Sequence, residues 1–334
     1  MSKLQLFIFL TNICNLRCKG CPVFKDIHRS LTLKDIEKIA TTWDYSRVAL
    51  LGGEPYAYKD LNKVVDMFNK PVTIYTNGTM LREDNIIENV VYAVSLDSLN
   101  QKINDTIRGQ GVHKKVMRAL NTLRKNKEKK NIKEIIIRTT YNSRNYSDIF
   151  NLIEFAEKNE FGLALHPRIG WEVQDEGIYA GLTAEQQLNL FREIIKHDKM
   201  VILTPHFFQW IGNKHYRCPA GEFRLAIREN GMVKPCQWGS YIIGSIRNHD
   251  FEYFRKKGIE YNKEFVQKRI PKSCLFCERV MQCHGGCLLI NDTVRCPLRY
   301  NGGSYNIRRF YGNSAISRFK VGLKRLGRIG FSGC

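Results

Sequence analysis

The chain has 334 residues, enough for one large domain or a domain with an extension, and it can bury a core without disulfides. Its first apolar run covers about seven residues, shorter than the ~20 that span a bilayer, and no secretory cleavage site follows, which predicts a cytoplasmic protein. In that reducing compartment the eleven cysteines indicate bound metal rather than disulfides, and the formal charge of +21 indicates an anionic partner.

Short β-branched and apolar runs alternate with amphipathic segments along the first half of the chain. The predicted strands cover residues 4–10, 48–53, 72–78, 91–97, 135–142 and 161–167. Helical patterns separate them, and a further helix is predicted over residues 183–198. The alternation predicts an α/β fold with a parallel sheet. A partial (β/α)6 barrel and an open sheet both fit, because periodicity alone does not separate them.

In either architecture the loops that follow parallel strands converge on one mouth, where the chemistry of such folds gathers. Three cysteines follow the first predicted strand, and the stretches GGEP, TNGT, SLDS, TTYN and HPR follow the others. In the last of these, His166 and Arg168 are predicted to face the mouth and to be available to a substrate. A purely structural histidine is the other interpretation of His166.

The first three cysteines, Cys14, Cys18 and Cys21, have the spacing C-x3-C-x2-C. Three thiolates on one loop can hold three irons of a [4Fe-4S] cluster, which leaves the fourth iron open to a small molecule. A zinc site completed by a distant His or Cys is the alternative.

This spacing directly after a first strand resembles the signature of radical S-adenosylmethionine (SAM) enzymes, and further motifs extend the resemblance over nearly the whole chain. The stretch that resembles the family's receptor for the methionyl ammonium group consists of Gly52, Gly53, Glu54 and Pro55. One departure concerns Gly20, because most members carry an aromatic residue just before the third cysteine.

Three other parts of the resemblance imply further SAM contacts. Ser95 and Asp97 lie in a stretch that resembles the ribose-contacting segment. Arg108 resembles an arginine that approaches the methionyl carboxylate, and Asn142 matches a polar position at the end of the fifth strand. The resemblance implies that the reduced cluster gives SAM an electron, which releases a 5′-deoxyadenosyl radical that takes hydrogen from an unactivated carbon.

A second group of cysteines follows residue 200, with the spacing C-x12-G-x4-C, then C-x2-C-x5-C-x3-C, then a last cysteine. This pattern resembles the SPASM extension, which implies two auxiliary [4Fe-4S] clusters. One would be held by Cys218, Cys236 and Cys287, and the other by Cys274, Cys277, Cys283 and Cys296. For the first, the fourth iron is open to substrate or bound by His206, His215 or Cys334. Zinc ribbons at the same cysteines are the alternative.

Related sulfatase maturases place a basic Asp directly after the second of these cysteines, where this chain has Gln237. The difference argues against sulfatase maturation and leaves the catalytic residues unassigned. The predicted domains are a radical SAM core at 1–200, a SPASM domain at 201–300 and a basic tail at 301–334.

The tail contains seven Lys and Arg and no acid. Its pattern fits a basic amphipathic helix on an anionic membrane or lipid-linked substrate, a segment that holds an acidic partner, or a solvated tail. Nucleic-acid binding is disfavoured, because no reading module accompanies the charge.

The sequence therefore predicts a radical SAM/SPASM enzyme that modifies a peptide or protein side chain and receives electrons from a flavodoxin- or ferredoxin-type donor. The absence of an apparent leader-binding domain weakens the peptide interpretation. Radical chemistry on a small anionic metabolite, a sugar or a lipid-linked glycan is the alternative. A non-catalytic iron-sulfur or zinc-binding protein is a third.

Overall fold

The computed structural model describes residues 4–21, 23, 27–167, 182, 186, 189–190, 193–194, 197, 201–203 and 218–267. The chain divides into two compact units. The first consists of Met1–Leu96, Gln101–Ile137 and Pro219–Val266, and the second of Asp97–Asn100, Arg138–Cys218 and Gln267–Cys334.

The first unit is built on a sheet whose strands run in the order β10-β9-β8-β1-β2-β3-β4. These strands are β1 (Gln5–Phe9), β2 (Arg47–Leu51), β3 (Val72–Thr76), β4 (Val91–Ser95), β8 (Arg224–Ile227), β9 (Met232–Lys234) and β10 (Gly244–Ser245). Strand β1 pairs in parallel with both β2 and β8, so that Gln5 lies between Arg47 and Arg224. Strand β9 is antiparallel to both of its neighbours, β8 and β10.

Helices alternate with the parallel strands, as the periodicity predicts. They are α1 (Leu33–Thr42), α2 (Leu61–Asp66), α3 (Gln101–Arg108) and α4 (Val112–Lys125). A further helix, α6 (Phe251–Tyr261), follows β10. Thr32 begins α1 with a capping box to Asp35, which explains why the helix begins there. The predicted α/β fold with a parallel sheet is confirmed.

One face of the sheet carries an apolar cluster formed by alternate residues of neighbouring strands. Its members are Phe7, Phe9, Val23, Ala49, Leu51 and Ala226, with Tyr75 packed against them. The guanidinium of Arg224 lies 4.6 Å from the centre of the Phe7 ring, and that of Arg228 lies 4.1 Å from the centre of the Phe9 ring. Two cations therefore cover the aromatic residues of β1 from the β8 side.

Strand β5 (Glu134–Tyr141) begins in the first unit and ends in the second, which also holds α5 (Ile149–Lys158), β6 (Gly162–Pro167) and β7 (Val201–Leu203). Strands β6 and β7 are parallel. The helix predicted at 183–198 is helical at the described positions 186, 189–190 and 193–194. Within the described ranges, no helix is both long enough and apolar enough to cross a membrane.

Candidate active site

The loop after β1, residues 11–21, carries the first three cysteines and is called the cysteine loop below. Local hydrogen bonds shape it: the Ile13 N–H donates to Thr11 Oγ1 at 3.0 Å, and Arg17 Nη1 donates to the Cys14 carbonyl at 2.8 Å. Gly20 has a left-handed backbone with φ of 68°. A side chain at this position would be strained, so the conformation favours glycine.

The GGEP stretch after β2 lies directly against the backbone of the cysteine loop. The Gly53 N–H donates to Thr11 O at 2.7 Å, and the Glu54 N–H donates to Ile13 O at 2.9 Å. A Cβ atom on Gly52 would lie 2.3 Å from Thr11 O, and one on Gly53 would lie 2.3 Å from Ile13 O. Larger residues are therefore excluded at both positions. The cysteine loop and the GGEP stretch, about forty residues apart in sequence, are therefore held against each other.

Glu54 is fully buried, and its carboxylate accepts three hydrogen bonds. Thr76 Oγ1 donates to Oε1 at 2.6 Å, the Asn77 N–H donates to Oε2 at 2.7 Å, and the Tyr56 N–H donates to Oε1 at 3.1 Å. Burial raises the Glu54 pKa to about 7, although these hydrogen bonds act in the opposite direction. Pro55, also buried, begins a short 3₁₀ turn, Pro55–Ala57. The side chain of Glu54 thus joins the GGEP stretch to the end of β3.

Asn77, directly after β3, connects this stretch to a cysteine. Its Nδ2 donates to Cys14 Sγ at 3.8 Å and to Asn15 Oδ1 at 2.9 Å, while its Oδ1 accepts from the Thr79 N–H at 2.9 Å. The sequence placed TNGT at a strand end but did not single out Asn77 as a site residue. Its position as the first polar residue after the strand was the available signal.

Asn12 is a second residue that the sequence analysis missed. Its side chain is buried, and its Nδ2 donates to Ile27 O at 2.7 Å while its Oδ1 accepts from the Arg29 N–H at 2.8 Å. Asn12 therefore holds Ile27 and Arg29 against the start of the cysteine loop.

The end of α3 lies against the middle of the cysteine loop. The Lys19 N–H donates to Ile107 O at 2.9 Å, and Cys18 Sγ donates to Arg108 O at 3.6 Å. Arg108, predicted to approach the methionyl carboxylate, is half-buried here, and Ser95 is the half-buried last residue of β4. The first unit thus brings Arg108 to the cysteine loop through its backbone.

The second unit brings Asp97 and Asn142 together around a third buried side chain. Asp97 Oδ1 accepts from the Thr140 N–H at 2.9 Å, and its carbonyl accepts from Asn145 Nδ2 at 2.8 Å. The Asn142 N–H donates to Asn145 Oδ1 at 2.8 Å. Asn145 is fully buried and was not predicted from the sequence.

The donor set of the cysteine loop suits iron–sulfur ligation. Cys14, Cys18 and Cys21 are all free thiols, and Cys14 Sγ accepts from the Leu16 N–H at 3.4 Å and from Asn77. Burial raises the Cys14 pKa and the Glu54 carboxyl adds to this effect, whereas the Leu16 and Asn77 hydrogen bonds lower it. In the described part of the chain, no three His, Cys, Asp or Glu side chains already lie in a metal-binding arrangement.

The second cysteine group is described only in part. Cys236 is buried in the first unit and Cys218 is half-buried in the second. Gln237 is buried as well, and no described residue donates a hydrogen bond to its Oε1. His166 is half-buried in β6. Several predicted residues lie outside the described ranges: Arg168, His206, His215, Cys274, Cys277, Cys283, Cys287, Cys296, Cys334 and the tail.

Comparison with known proteins identifies this site. Residues 8–156, which include the cysteine loop, the GGEP stretch and Arg108, match the Radical SAM superfamily. This part of the chain is a radical SAM domain, and the protein is an enzyme. Mycofactocin maturase MftC of Mycolicibacterium smegmatis is 25% identical to the enzyme over 345 residues, covering 95% of this chain and 86% of MftC. The subtilosin biosynthesis protein AlbA of Bacillus subtilis is 28% identical over 116 residues, but the match covers only 30% of this chain and 26% of AlbA.

Solved structures share the fold of the enzyme. Streptococcus suis SuiB bound to S-adenosylmethionine has a TM-score of 0.68 at 19% identity and covers 88% of this chain and 77% of SuiB. The protein anSMEcpe, with bound AdoMet and the Kp18Cys peptide, has a TM-score of 0.68 at 17% identity and covers 98% of each chain. The predicted partial barrel of radical SAM type is confirmed as the fold class.

Proposed function

We propose that the enzyme generates a substrate radical by reductive cleavage of SAM and uses it to modify a side chain of a ribosomally made peptide or protein. The observation that carries the proposal is the contact network of the cysteine loop, because it joins the three thiols, the GGEP stretch, the end of β3 and the end of α3 in one unit. MftC and AlbA are named as a maturase and a bacteriocin biosynthesis protein, and anSMEcpe has been solved with a peptide, which favours a peptide substrate.

Cys14, Cys18 and Cys21 would hold a [4Fe-4S] cluster with one iron left for SAM. When bound, the group supplies the single electron that cleaves SAM. The protein's part is to place and shield the ligands: Asn77 and the Leu16 N–H donate to Cys14, and Arg108 O and Ile107 O hold the Cys18–Lys19 segment. These contacts orient the loop before the cofactor arrives.

SAM would be bound at the ends of the parallel strands. Glycine carbonyls and the Glu54 stretch would receive the ammonium group, and Arg108 would face the carboxylate. Ser95 and Asp97 would contact the ribose, and Asn142 would be a further SAM contact. The Glu54 carboxylate has already accepted three hydrogen bonds from the protein. Its role would therefore be mainly electrostatic, while backbone oxygens of Gly52–Pro55 would make the direct contacts.

The later segment would be the SPASM domain at 201–300, with two auxiliary [4Fe-4S] clusters. Cys218, Cys236 and Cys287 would hold one cluster, and Cys274, Cys277, Cys283 and Cys296 the other. Cys236 is buried, as expected for a ligand shielded from solvent. Gln237 replaces an acidic base directly after Cys236, so proton removal, if the reaction requires it, falls to another group.

The same chemistry fits a cytoplasmic enzyme, because free thiols and reduced clusters need a reducing compartment. Electrons would come from a flavodoxin- or ferredoxin-type protein. The tail at 301–334, with seven cations and no acid, would bring the enzyme to an anionic membrane surface.

Anaerobic reconstitution with iron, sulfide, dithionite and SAM tests the radical chemistry. The expected product is 5′-deoxyadenosine, and Cys18→Ser should abolish its formation. Preparations that contain only zinc, or cluster-loaded protein that forms no deoxyadenosine, would refute the proposal. Mass spectrometry of peptides encoded by neighbouring genes then tests the substrate class. A mass change in one of them supports peptide modification, and a change only in a small anionic metabolite supports the alternative.

A further inference from the structure

The cysteine loop itself carries exposed cations. Arg17 and Lys19 lie on either side of Cys18 and are both exposed, and residues 12–21 contain no acid. The Arg17 guanidinium donates to Cys14 O at 2.8 Å and to Leu16 O at 3.0 Å, so this positive charge is held against the backbone of the cysteine loop. The loop therefore presents positive charge to solvent beside its thiols.

A second set of cations lies on α4. Lys114, Lys115 and Arg118 are exposed and share one side of the helix, while the opposite side is buried through Val112, Val116, Ala119, Leu120 and Leu123. Among the described residues, no acid forms an ion pair with Lys114, Lys115 or Arg118. Because these side chains point away from the packed side of the helix, a ligand bound to them would contact the outside of the fold.

Short connections link the two sets of cations. The cysteine loop is bonded to the end of α3 through Lys19 N–H to Ile107 O at 2.9 Å and Cys18 Sγ to Arg108 O at 3.6 Å. The turn from α3 to α4 follows at once, and the buried carboxylate of Asp105 closes it by accepting from the N–H groups of Gly111 at 2.9 Å and His113 at 2.8 Å. The first turn of α4, with Lys114 and Lys115, is therefore only a few residues from the backbone that contacts Cys18.

We propose that Arg17, Lys19, Lys114, Lys115 and Arg118, here called the basic patch, form the docking surface for an acidic protein that delivers single electrons, such as reduced flavodoxin. One electron would leave the flavin hydroquinone of the donor, which is oxidised to the semiquinone, and enter the iron–sulfur group of Cys14, Cys18 and Cys21, which is reduced. No covalent bond forms or breaks between the proteins. The inference rests on the proposed function, because only a redox site gives such a donor a reason to bind here.

Charge complementarity favours this occupant over a substrate. An acidic flavodoxin would be steered to the patch by long-range attraction. Lys114, Lys115 and Arg118 lie on the exposed side of α4, where a partner protein can reach them from solvent, whereas a substrate must contact the reacting atoms in the active site.

The test uses the full-length, cluster-loaded enzyme and two charge-reversal variants. One carries Lys114→Glu, Lys115→Glu and Arg118→Glu. The matched control carries Arg124→Glu, Lys125→Glu and Lys129→Glu. It makes the same change in net charge on exposed residues at the C-terminal end of α4 and in the turn that follows. Lys114 and Arg124 are ten residues apart on the helix, or roughly 15 Å of helix rise. Stopped-flow absorbance follows the bleaching of the cluster by reduced flavodoxin, and fluorescence titration follows the binding of oxidised flavodoxin.

The patch variant should be reduced by flavodoxin about tenfold or more slowly than wild type at low salt, and the control by less than about twofold. The difference should largely disappear at about 0.5 M salt. With dithionite all three proteins should be reduced and form deoxyadenosine equally well.

Equal losses in both variants, or no loss in either, would overturn the assignment of the patch. A patch variant that accepts electrons normally but no longer binds its peptide would overturn it in favour of an acidic substrate. If wild-type enzyme forms no deoxyadenosine even with dithionite, the proposed function itself fails, and the inference fails with it.

Discussion

At the scale of single residues, Glu54 and Asn77 connect parts of the site that are distant in sequence. Glu54 accepts from the Asn77 N–H at 2.7 Å, and Asn77 Nδ2 donates to Cys14 Sγ at 3.8 Å. Because Glu54 is fully buried, its charged form is penalised by desolvation and only partly compensated by three hydrogen bonds. The charge state of one carboxyl group therefore affects the stability of the fold around the cysteine loop.

Replacement of Glu54 by Gln should change the pH dependence of stability. A folded-state pKa of about 7, raised from 4.5, means that the contribution of Glu54 to stability is fully present below about pH 4.5 and is lost as the pH rises through 7. The loss from this group is about 3 kcal/mol. Glu54→Gln cannot ionise, so the stability of the variant relative to wild type should be greater at pH 8 than at pH 5. Anaerobic urea unfolding at both pH values measures this, and an unchanged difference would contradict it.

Replacement of Asn77 by Asp should make the Cys14 thiol harder to ionise. The variant keeps the shape of the side chain but loses the N–H that donates to Cys14 Sγ and adds a negative charge. In cluster-free, reduced protein, alkylation of Cys14 by iodoacetamide at pH 8 should slow about tenfold. Peptide mass spectrometry measures the rate, with Cys21 as an internal reference and the exposed Asn121→Asp as control. An unchanged Cys14 rate would rule out the contact.

At the scale of elements, α6 is held to the turn before β8 by an approach of two glycines. A Cβ on Gly258 would lie 2.4 Å from Gly221 O, and one on Gly221 would lie 2.2 Å from Gly258 O. Arg255 Nη1 donates to Glu222 O at 2.7 Å and Asn262 Nδ2 donates to Ala220 O at 2.7 Å, on either side of the glycine contact. The helix therefore packs directly on backbone, with no side chain between.

Gly258→Ala should destabilise the enzyme, although the same change in an exposed helix stabilises by about 1 kcal/mol. The new methyl group meets a backbone oxygen that cannot rotate away, so the helix must shift, at a cost of about 2 kcal/mol or more. Lys256→Ala, on an exposed position of α6, should change the free energy of unfolding by less than about 0.5 kcal/mol. Thermal unfolding followed by circular dichroism distinguishes them. A Gly258→Ala variant as stable as wild type would contradict the close packing.

At the scale of the whole molecule, the sequence predicted what depends on local periodicity. Six strands were placed within about two residues, because apolar β-branched runs bounded by glycine and polar residues show where a strand ends. The same reasoning placed the cysteines, GGEP and TNGT together, because parallel strands end at one edge. The resemblance to a family supplied the meaning of these motifs.

What the sequence did not predict depends on contacts between distant segments. Asn12, Asn77 and Asn145 are ordinary polar residues until folding places them beside a buried carbonyl, a thiol or an amide. Strand β8 was missed as well. Its short run, Arg224–Ile227, begins with a charged residue that lies over Phe7, and no periodic pattern surrounds it. Tertiary packing, and not local propensity, decides such elements.

Because β8 pairs with β1, the barrel strands should depend on the later segment for stability. The register Gln5↔Arg224 to Ile8↔Ile227 covers one edge of β1, whose five residues are all buried. A chain that ends at residue 217 would expose that edge and the Phe7 and Phe9 rings, which favours aggregation. We expect it to elute as aggregates in size-exclusion chromatography and to lack a cooperative thermal transition, whereas a chain that ends at residue 300 should behave like the full-length enzyme. A monomeric 1–217 chain with the wild-type melting temperature would show that β8 adds little to the barrel.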